Sequence, residues 1–419
     1  MFDTLLQIWK VKEIRKSIFF VFCMLVLYRI VANIPIPGVD PQGLKQIFDS
    51  NQLLGLINVF SGGGISNFSI VAMGVAPYIT SSIIYQLLVM IVPRLEALSK
   101  EPDGQQRINK YTRITTIPLA IIQAFGLITL FSQSGLGAVI HLNTIQTITA
   151  IIIMTAGTIF LMWLGELISE RKIGNGISLI IFAGIVATLP QTIQRTLYLF
   201  DKTQLTSLIV FLVISLVTII AVVYMTEGQR NIPVSYARNV RGMGKSFLPL
   251  RVNQAGVIPI IFAISIILFP PLIAQFFLRA RSESLVAASN WVIELFQNQT
   301  FYGILYFLLV VGFTYFYTAV VFHPERIAEN LQKQGGFVPG IRPGKNTEHY
   351  LNMVMNRITF AGALFLGMIA ILPLVSQNIV GAQQQLVIGG TSLLIVVSVV
   401  IESMKQIDAQ LTMRDYDGF

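Results

Sequence analysis

The side chains best suited to acid–base, nucleophilic or metal chemistry are few in this sequence, and their positions keep them apart. His141, His323 and His349 all fall in loops between apolar stretches, so no intramembrane Ser/His pair or metal cluster can be assembled from them. Gly244-Lys245-Ser246 resembles the end of a phosphate-binding loop, but Asn239 stands where that motif needs its first glycine and no strand-to-helix context surrounds it. No Asp or Glu lies midway along an apolar stretch, since Glu166 and Glu402 sit near the ends of theirs. Ion-coupled carriers depend on such midplane groups. Arg29 is the one deep charge, readable either as a snorkelling side chain or as half of a buried pair. Cys23 is the single cysteine, which excludes an intrachain disulfide. No cofactor is implied. What remains is aliphatic. Val75 and Ile79 lie one helical turn apart, Ile181 and Ile185 repeat that spacing, and Ile261 and Ile395 follow in later stretches. Singly, each is an ordinary core or lipid-facing residue. As a ring, they would form a constriction that closes a pore by expelling water.

The elements that must position such a ring follow from hydropathy. Of 419 residues, 54% are hydrophobic and 12% charged, and the mean hydropathy is +0.71, which excludes an ordinary soluble domain. Basic residues at positions 10–16 precede the first apolar run without a following cleavage site, so this start reads as a signal-anchor. Phe2, Leu5, Leu6 and Trp9 share a helical face suited to the membrane interface. Ten spans are predicted, at 17–34, 70–92, 115–134, 147–165, 177–194, 206–225, 255–275, 302–322, 357–376 and 386–404. The sequence Ile34-Pro35-Ile36-Pro37-Gly38 ends the first sharply, because proline cannot continue a helix. The loop lysines and arginines collect on one side, leaving only Lys45, Arg195, Lys202, Arg279 and Arg281 on the other. By the positive-inside rule both termini are cytosolic.

One stretch does not fit a spanning helix. Residues 58–68 contain Phe60, Ser61, Gly62, Gly63, Gly64 and Ile65, and each glycine costs a helix about 1 kcal/mol relative to alanine. Non-helical backbone survives at membrane depth only where protein buries it or water reaches it. The stretch therefore reads as a short re-entrant element that turns and feeds the second span. Five spans on each side of about residue 200 force the second half (201–419) to insert upside down relative to the first (1–200). Gly74-Val75-Ala76-Pro77 on the second span and Gly256-Val257-Ile258-Pro259 on the seventh echo that pairing. Gly/Pro interruptions at matching places in inverted halves point to the functional axis.

These motifs carry a resemblance. Asn58-Val59-Phe60-Ser61-Gly62-Gly63-Gly64, Pro77-Tyr78-Ile79, Phe160-Leu161-Met162-Trp163-Leu164-Gly165-Glu166, Gly174-Asn175-Gly176-Ile177-Ser178, Phe182-Ala183-Gly184-Ile185-Val186, Ala255-Gly256-Val257-Ile258-Pro259, Phe337-Val338-Pro339-Gly340-Ile341-Arg342-Pro343-Gly344 and Gly389-Gly390-Thr391-Ser392-Leu393-Leu394-Ile395-Val396-Val397 resemble the SecY family of protein-conducting channel subunits over nearly the whole chain. The resemblance implies an all-α polytopic membrane protein with ten transmembrane helices in two inverted five-helix halves. It implies a plug at 58–68 and a pore ring of Val75, Ile79, Ile181, Ile185, Ile261 and Ile395. Isoleucine is common in the family at the position of Val75, and the smaller side chain departs from that pattern. A lateral gate between the second and seventh spans carries a polar cluster that maps onto Thr80, Gln123 and Asn253. Three uncharged polar groups on neighbouring spans could bond to one another and hold such a gate shut.

The same resemblance implies that loops 227–253 and 323–356 dock a ribosome and a SecA-type ATPase, with SecE-like and SecG-like small membrane subunits alongside. Signal peptides, nascent chains and membrane lipid would be the other partners, in the cytoplasmic membrane of a bacterium. Arg238, Arg241, Lys245 and Arg251 in the first loop, with Arg342 and Lys345 in the second, suit ribosomal RNA phosphates. Topology charge alone is the blander reading of each. The backbone around Arg342 is constrained by two prolines and two glycines, which a topology marker would not need. With no nucleotide site, the chain reads as a passive channel and not an enzyme. A secondary transporter would need a midplane carboxylate, an intramembrane hydrolase a base within the bilayer, and an insertase without a pore would need no plug.

Overall fold

In the computed structural model the described residues are 11–37, 63–65, 67–101, 103–133, 143–198, 205–236, 246–278, 282–380 and 390–417. Apolar sequence becomes helix almost throughout. The helices are α1 (Lys12–Ala32), α2 (Ala76–Ile91), α3 (Pro93–Lys100), α4 (Gly104–Gln133), α5 (Thr144–Glu170), α6 (Gly176–Tyr198), α7 (Leu205–Glu227), α8 (Ile258–Phe277), α9 (Glu283–Gln297), α10 (Gln299–Val321), α11 (Pro324–Lys333), α12 (Lys345–Val380) and α13 (Gly390–Asp417). Strands β1 (Gln229–Tyr236), β2 (Ser246–Arg251) and β3 (Gly336–Phe337) complete the chain.

Each of the ten expected stretches coincides with a helix over most of its described length. Among the described residues, four helical segments are long and apolar enough to cross a bilayer unaided, namely Gly104–Thr129, Thr144–Glu170, Gln299–Lys333 and Lys345–Val375. A fifth arises if Ala76–Ile91 and Pro93–Ser99, bent by 104° at their junction, count as one. Gly176–Pro190, Leu212–Glu227 and Ile258–Pro271 are shorter apolar segments. The second span is shorter than predicted, because residues 70–75 are turns and helix begins only at Ala76. Gly74, at φ 57°, breaks the helical path there, and Pro77 is pre-set for a first helical turn. The seventh span likewise starts at Ile258 and not at residue 255. The interfacial helix expected at residues 2–9 lies outside the described residues.

The main core gathers buried residues from α1, α2, α5, α6, α7, α8, α10, α12 and α13. A second core joins Ile36, Ile65, Phe68, Ala72 and Met73 to Ala120, Ala124, Leu127 and Ile128 of α4 and Ala150 and Met154 of α5. A third lies under the sheet, where Ile232, Leu250 and Val338 meet Leu351, Val354 and Met355 of α12. The sheet order is β2-β1-β3, with both pairings antiparallel. Strand β1 therefore pairs within its own loop and with the loop before α12.

Candidate functional site: the central constriction and its gate

The six predicted ring residues come from four helices that share one core. Val75 caps α2 and Ile79 lies one turn on, its N–H donating to the Val75 carbonyl at 3.0 Å. Ile181 and Ile185 come from α6, Ile261 from the first turn of α8, and Ile395 from α13. All six belong to the main core, and none is more than 8% exposed. The buried polar residues of the described structure are serines, threonines and Asn253, with no charged side chain among them. The core that holds the six is thus free of charged side chains. Water entering it would give up hydrogen bonds that aliphatic walls cannot replace.

One described residue of the glycine-rich stretch, Gly63, lies close to α6, which carries two of the six. Gly63 adopts φ 80°, and a β-carbon there would stand 3.5 Å from Thr188 Cγ2. Thr188 follows Ile185 by three residues and donates its hydroxyl to the Ile185 carbonyl at 2.8 Å. Ile65 and Phe68 are buried in the second core. Phe68 holds φ 42° while fully buried, a left-handed conformation that costs a residue with a side chain roughly 1–2 kcal/mol and persists because its surroundings enforce it. Phe68 N–H donates to the Ile65 carbonyl at 2.8 Å and Ser69 N–H to that of Gly64 at 2.9 Å, so the segment is a compact turn and not helix. Ile36 N–H donates to Phe68 O at 2.9 Å, and Pro35 pairs with Ser69 as an antiparallel bridge. The stretch is thereby strapped to the chain leaving α1. Phe60, Ser61 and Gly62 lie outside the described residues.

The polar cluster does not bond internally. Thr80 Oγ1 donates to the Ala76 carbonyl of its own helix at 3.0 Å. Asn253 Nδ2 donates to Gly256 O at 3.2 Å, and its buried Oδ1 has no partner among the described residues. Gln123 is half-buried, and no hydrogen bond joins any two of the three. The expected mutual satisfaction fails for a local reason, since a helical hydroxyl finds the carbonyl four residues back before any neighbour. The contact between α2 and α8 is instead apolar, with Ile83, Ile260 and Ile264 beside the ring in one core. Alongside lies a cavity of about 570 Å³ between α2, α8 and α9. Its hydroxyls, on Thr80, Ser265 and Ser289, all bond within their own helices, so it presents an almost wholly apolar wall.

Among the predicted docking residues, Arg238, Arg241 and Lys245 lie outside the described residues. Arg251, at the end of β2, is exposed and close enough to Glu402 of α13 to attract it. Arg342 and Lys345 are exposed on the turn into α12. Buried Thr347 donates its hydroxyl to the Arg342 carbonyl at 3.0 Å, while Gly340 and Gly344 sit at φ 83° and 94°. That backbone is fixed as the prolines and glycines predict. Arg29 is half-buried, with its guanidinium 6.0 Å from the ring centre of Tyr28.

Sequence reasoning passed over three residues that the geometry brings forward. Thr188 lies close to Gly63. Gly157 and Gly362 press on the starts of α2 and α8, where an added β-carbon would lie 2.1 Å from Ile70 O and 2.7 Å from Val252 O respectively. Lone glycines inside apolar helices were the available signal.

Comparison with known proteins agrees with this architecture. The SecY family model matches residues 69–404. A protein named protein translocase subunit SecY from Streptomyces galbus is 42% identical, and one from Halalkalibacterium halodurans 44%, each over the full length of both chains. Two solved structures share the fold at 20% identity, each covering 93% of this chain and 91% of its own. One is a protein-conducting channel, with a TM-score of 0.65, and the other is Sec61 in a canine ribosome–channel complex, with a TM-score of 0.62. With the family model spanning most of the sequence and relatives above 40% identity from end to end, this polytopic membrane protein belongs to the SecY family.

Proposed function

We propose that the chain is the pore-forming subunit of a passive protein-conducting channel, passing unfolded secretory polypeptides through its centre and releasing transmembrane segments sideways into lipid. The observation that carries this reading is the ring. Six aliphatic side chains from four helices converge in one charge-free core, beside a turn that is not helical. Aliphatic side chains shift to fit a moving chain of varying width and offer no hydrogen bonds that would favour one polar cargo over another. Val75, Ile79, Ile181, Ile185, Ile261 and Ile395 form the seal, and residues 58–68 form the plug that leaves it.

The chain is not itself an enzyme, so its driving force comes from a ribosome or a SecA-type motor on the cytosolic face, where both termini lie. The protein resides in the cytoplasmic membrane beside SecE-like and SecG-like subunits. Docking on Arg238, Arg241, Lys245, Arg251, Arg342 and Lys345 loosens the gate at Thr80, Gln123 and Asn253. An apolar signal helix then enters between α2 and α8, where the cavity wall offers it only apolar contact. The test is a secretory chain stalled during transport into proteoliposomes, with a photo-crosslinker placed at Val75 or Ile261. Adducts at both positions are expected. Adducts confined to lipid-facing controls such as Ile220, which is 62% exposed, would remove the central pore from the account.

A further inference from the structure

Helices α2 and α8 are rooted in the same way, down to single hydrogen bonds. Each begins with a left-handed glycine, Gly74 at φ 57° and Gly256 at φ 62°. Each is capped by a valine near the bridge region, Val75 at φ −96° and Val257 at φ −92°, followed by a proline in the first turn. Four residues before each glycine stand Ile70 and Val252, and both are held at two points. Ile70 N–H donates to Ile34 O at 3.0 Å, just past the end of α1, and Val252 N–H donates to Gly228 O at 2.9 Å, just past the end of α7. Their carbonyls abut buried glycines of α5 and α12, where a β-carbon on Gly157 would lie 2.1 Å from Ile70 O and one on Gly362 would lie 2.7 Å from Val252 O. The neighbours pair likewise, Pro35 with Ser69 in an isolated bridge and Gln229 with Arg251 in the β1–β2 ladder.

We infer that Gly157 and Gly362 are positioning residues that fix the roots of the two gate helices, so that opening swings α2 and α8 about Ile70 and Val252 while the roots stay still. The inference rests on the channel reading and adds its mechanics. A residue whose N–H is anchored to one neighbour and whose carbonyl abuts a glycine of another offers no side chain there that could yield. An alanine at either glycine must therefore displace the root itself. Gly312 in α10 has nothing within 4 Å of the equivalent β-carbon position, and supplies the matched control.

The test uses the purified full chain, with Cys23 replaced by serine and spin labels at Met90→Cys and Ile273→Cys, which are 51% and 40% exposed. In the resting state, G157A and G362A are expected to lengthen and broaden the α2–α8 distance distribution, whereas G312A leaves it unchanged. A merely structural role would lower the melting temperature of the folded fraction without moving the distance. Folded variants whose distributions match that of G312A would overturn the inference.

Should either alanine variant fail to fold, hydrogen exchange on the unmodified chain decides. On adding a signal peptide, the Ile70 and Val252 amides are expected to stay protected while amides further along α2 and α8 gain exchange. Loss of protection at the two roots would overturn the inference. Failure of the channel reading looks different. The unmodified chain would then transport nothing in proteoliposomes with its motor, while the resting distances would still report whether the glycines set the roots.

Discussion

Gly63 lies against Thr188, with its β-carbon position 3.5 Å from the threonine methyl and its backbone at φ 80°. Contact and conformation make separate demands there. The first leaves room for a methyl group, whereas the second costs a residue with a side chain roughly 1–2 kcal/mol. G63A is therefore expected to weaken plug seating without a clash, raising resting ion conductance in planar bilayers. Replacing Thr188 with valine preserves shape and should leave conductance unchanged. A leak from T188V and none from G63A would reverse this account.

The ring makes a stronger demand. Replacing Ile79, Ile185 and Ile261 together with glycine removes three of the six buried aliphatics and admits water to the constriction. Resting conductance is expected to rise well above that of G63A, because the plug then closes over a wet pore. Each substitution also costs its helix about 1 kcal/mol, so the melting temperature must be measured alongside. A folded triple variant with unchanged conductance would show that the seal lies elsewhere.

Thr80 and Asn253 bond locally and not to each other. Their substitutions should then be additive. In a double-mutant cycle of T80V and N253A, read as gate stability through signal-peptide affinity, the coupling is expected to stay within about 0.5 kcal/mol. Coupling of 1 kcal/mol or more would restore the mutual hydrogen bonding that sequence reasoning anticipated.

Arg342 and Lys345 project from a backbone pinned by Thr347. If they meet ribosomal RNA phosphates, R342A should weaken ribosome binding and reduce the slope of log affinity against log salt by about 1, and K345A should do the same. Glu402 is near enough to attract Arg251, so E402Q removes a neighbouring negative charge and is expected to tighten binding at low salt. No change in salt slope for any of the three would assign these residues to topology alone.

Much of the fold was legible because apolar runs and the Gly-Val-x-Pro repeat write helices and their starts directly into sequence. The burial of Val75 with Ile79 and of Ile181 with Ile185 was legible for the same reason, since i, i+4 spacing places each pair on a common face. The roots were not legible. They depend on backbone carbonyls meeting Gly157 and Gly362 across some hundred residues of chain, and no local pattern encodes such a meeting. The sheet was missed although Ile232 and Val234 alternate with exposed neighbours, because the basic loop charges masked a short period-two signal. The amphipathic helix α9 was passed over between two stronger hydropathy peaks. Side-chain chemistry misled at Thr80 and Asn253, which bond to nearby backbone and not to each other.

Strand β1 lies between β2 of its own loop and β3 of the next. To a molecule arriving from solution, the two loops are accordingly one handle with two grips. Whatever settles on one of them therefore meets a strand that the other also holds.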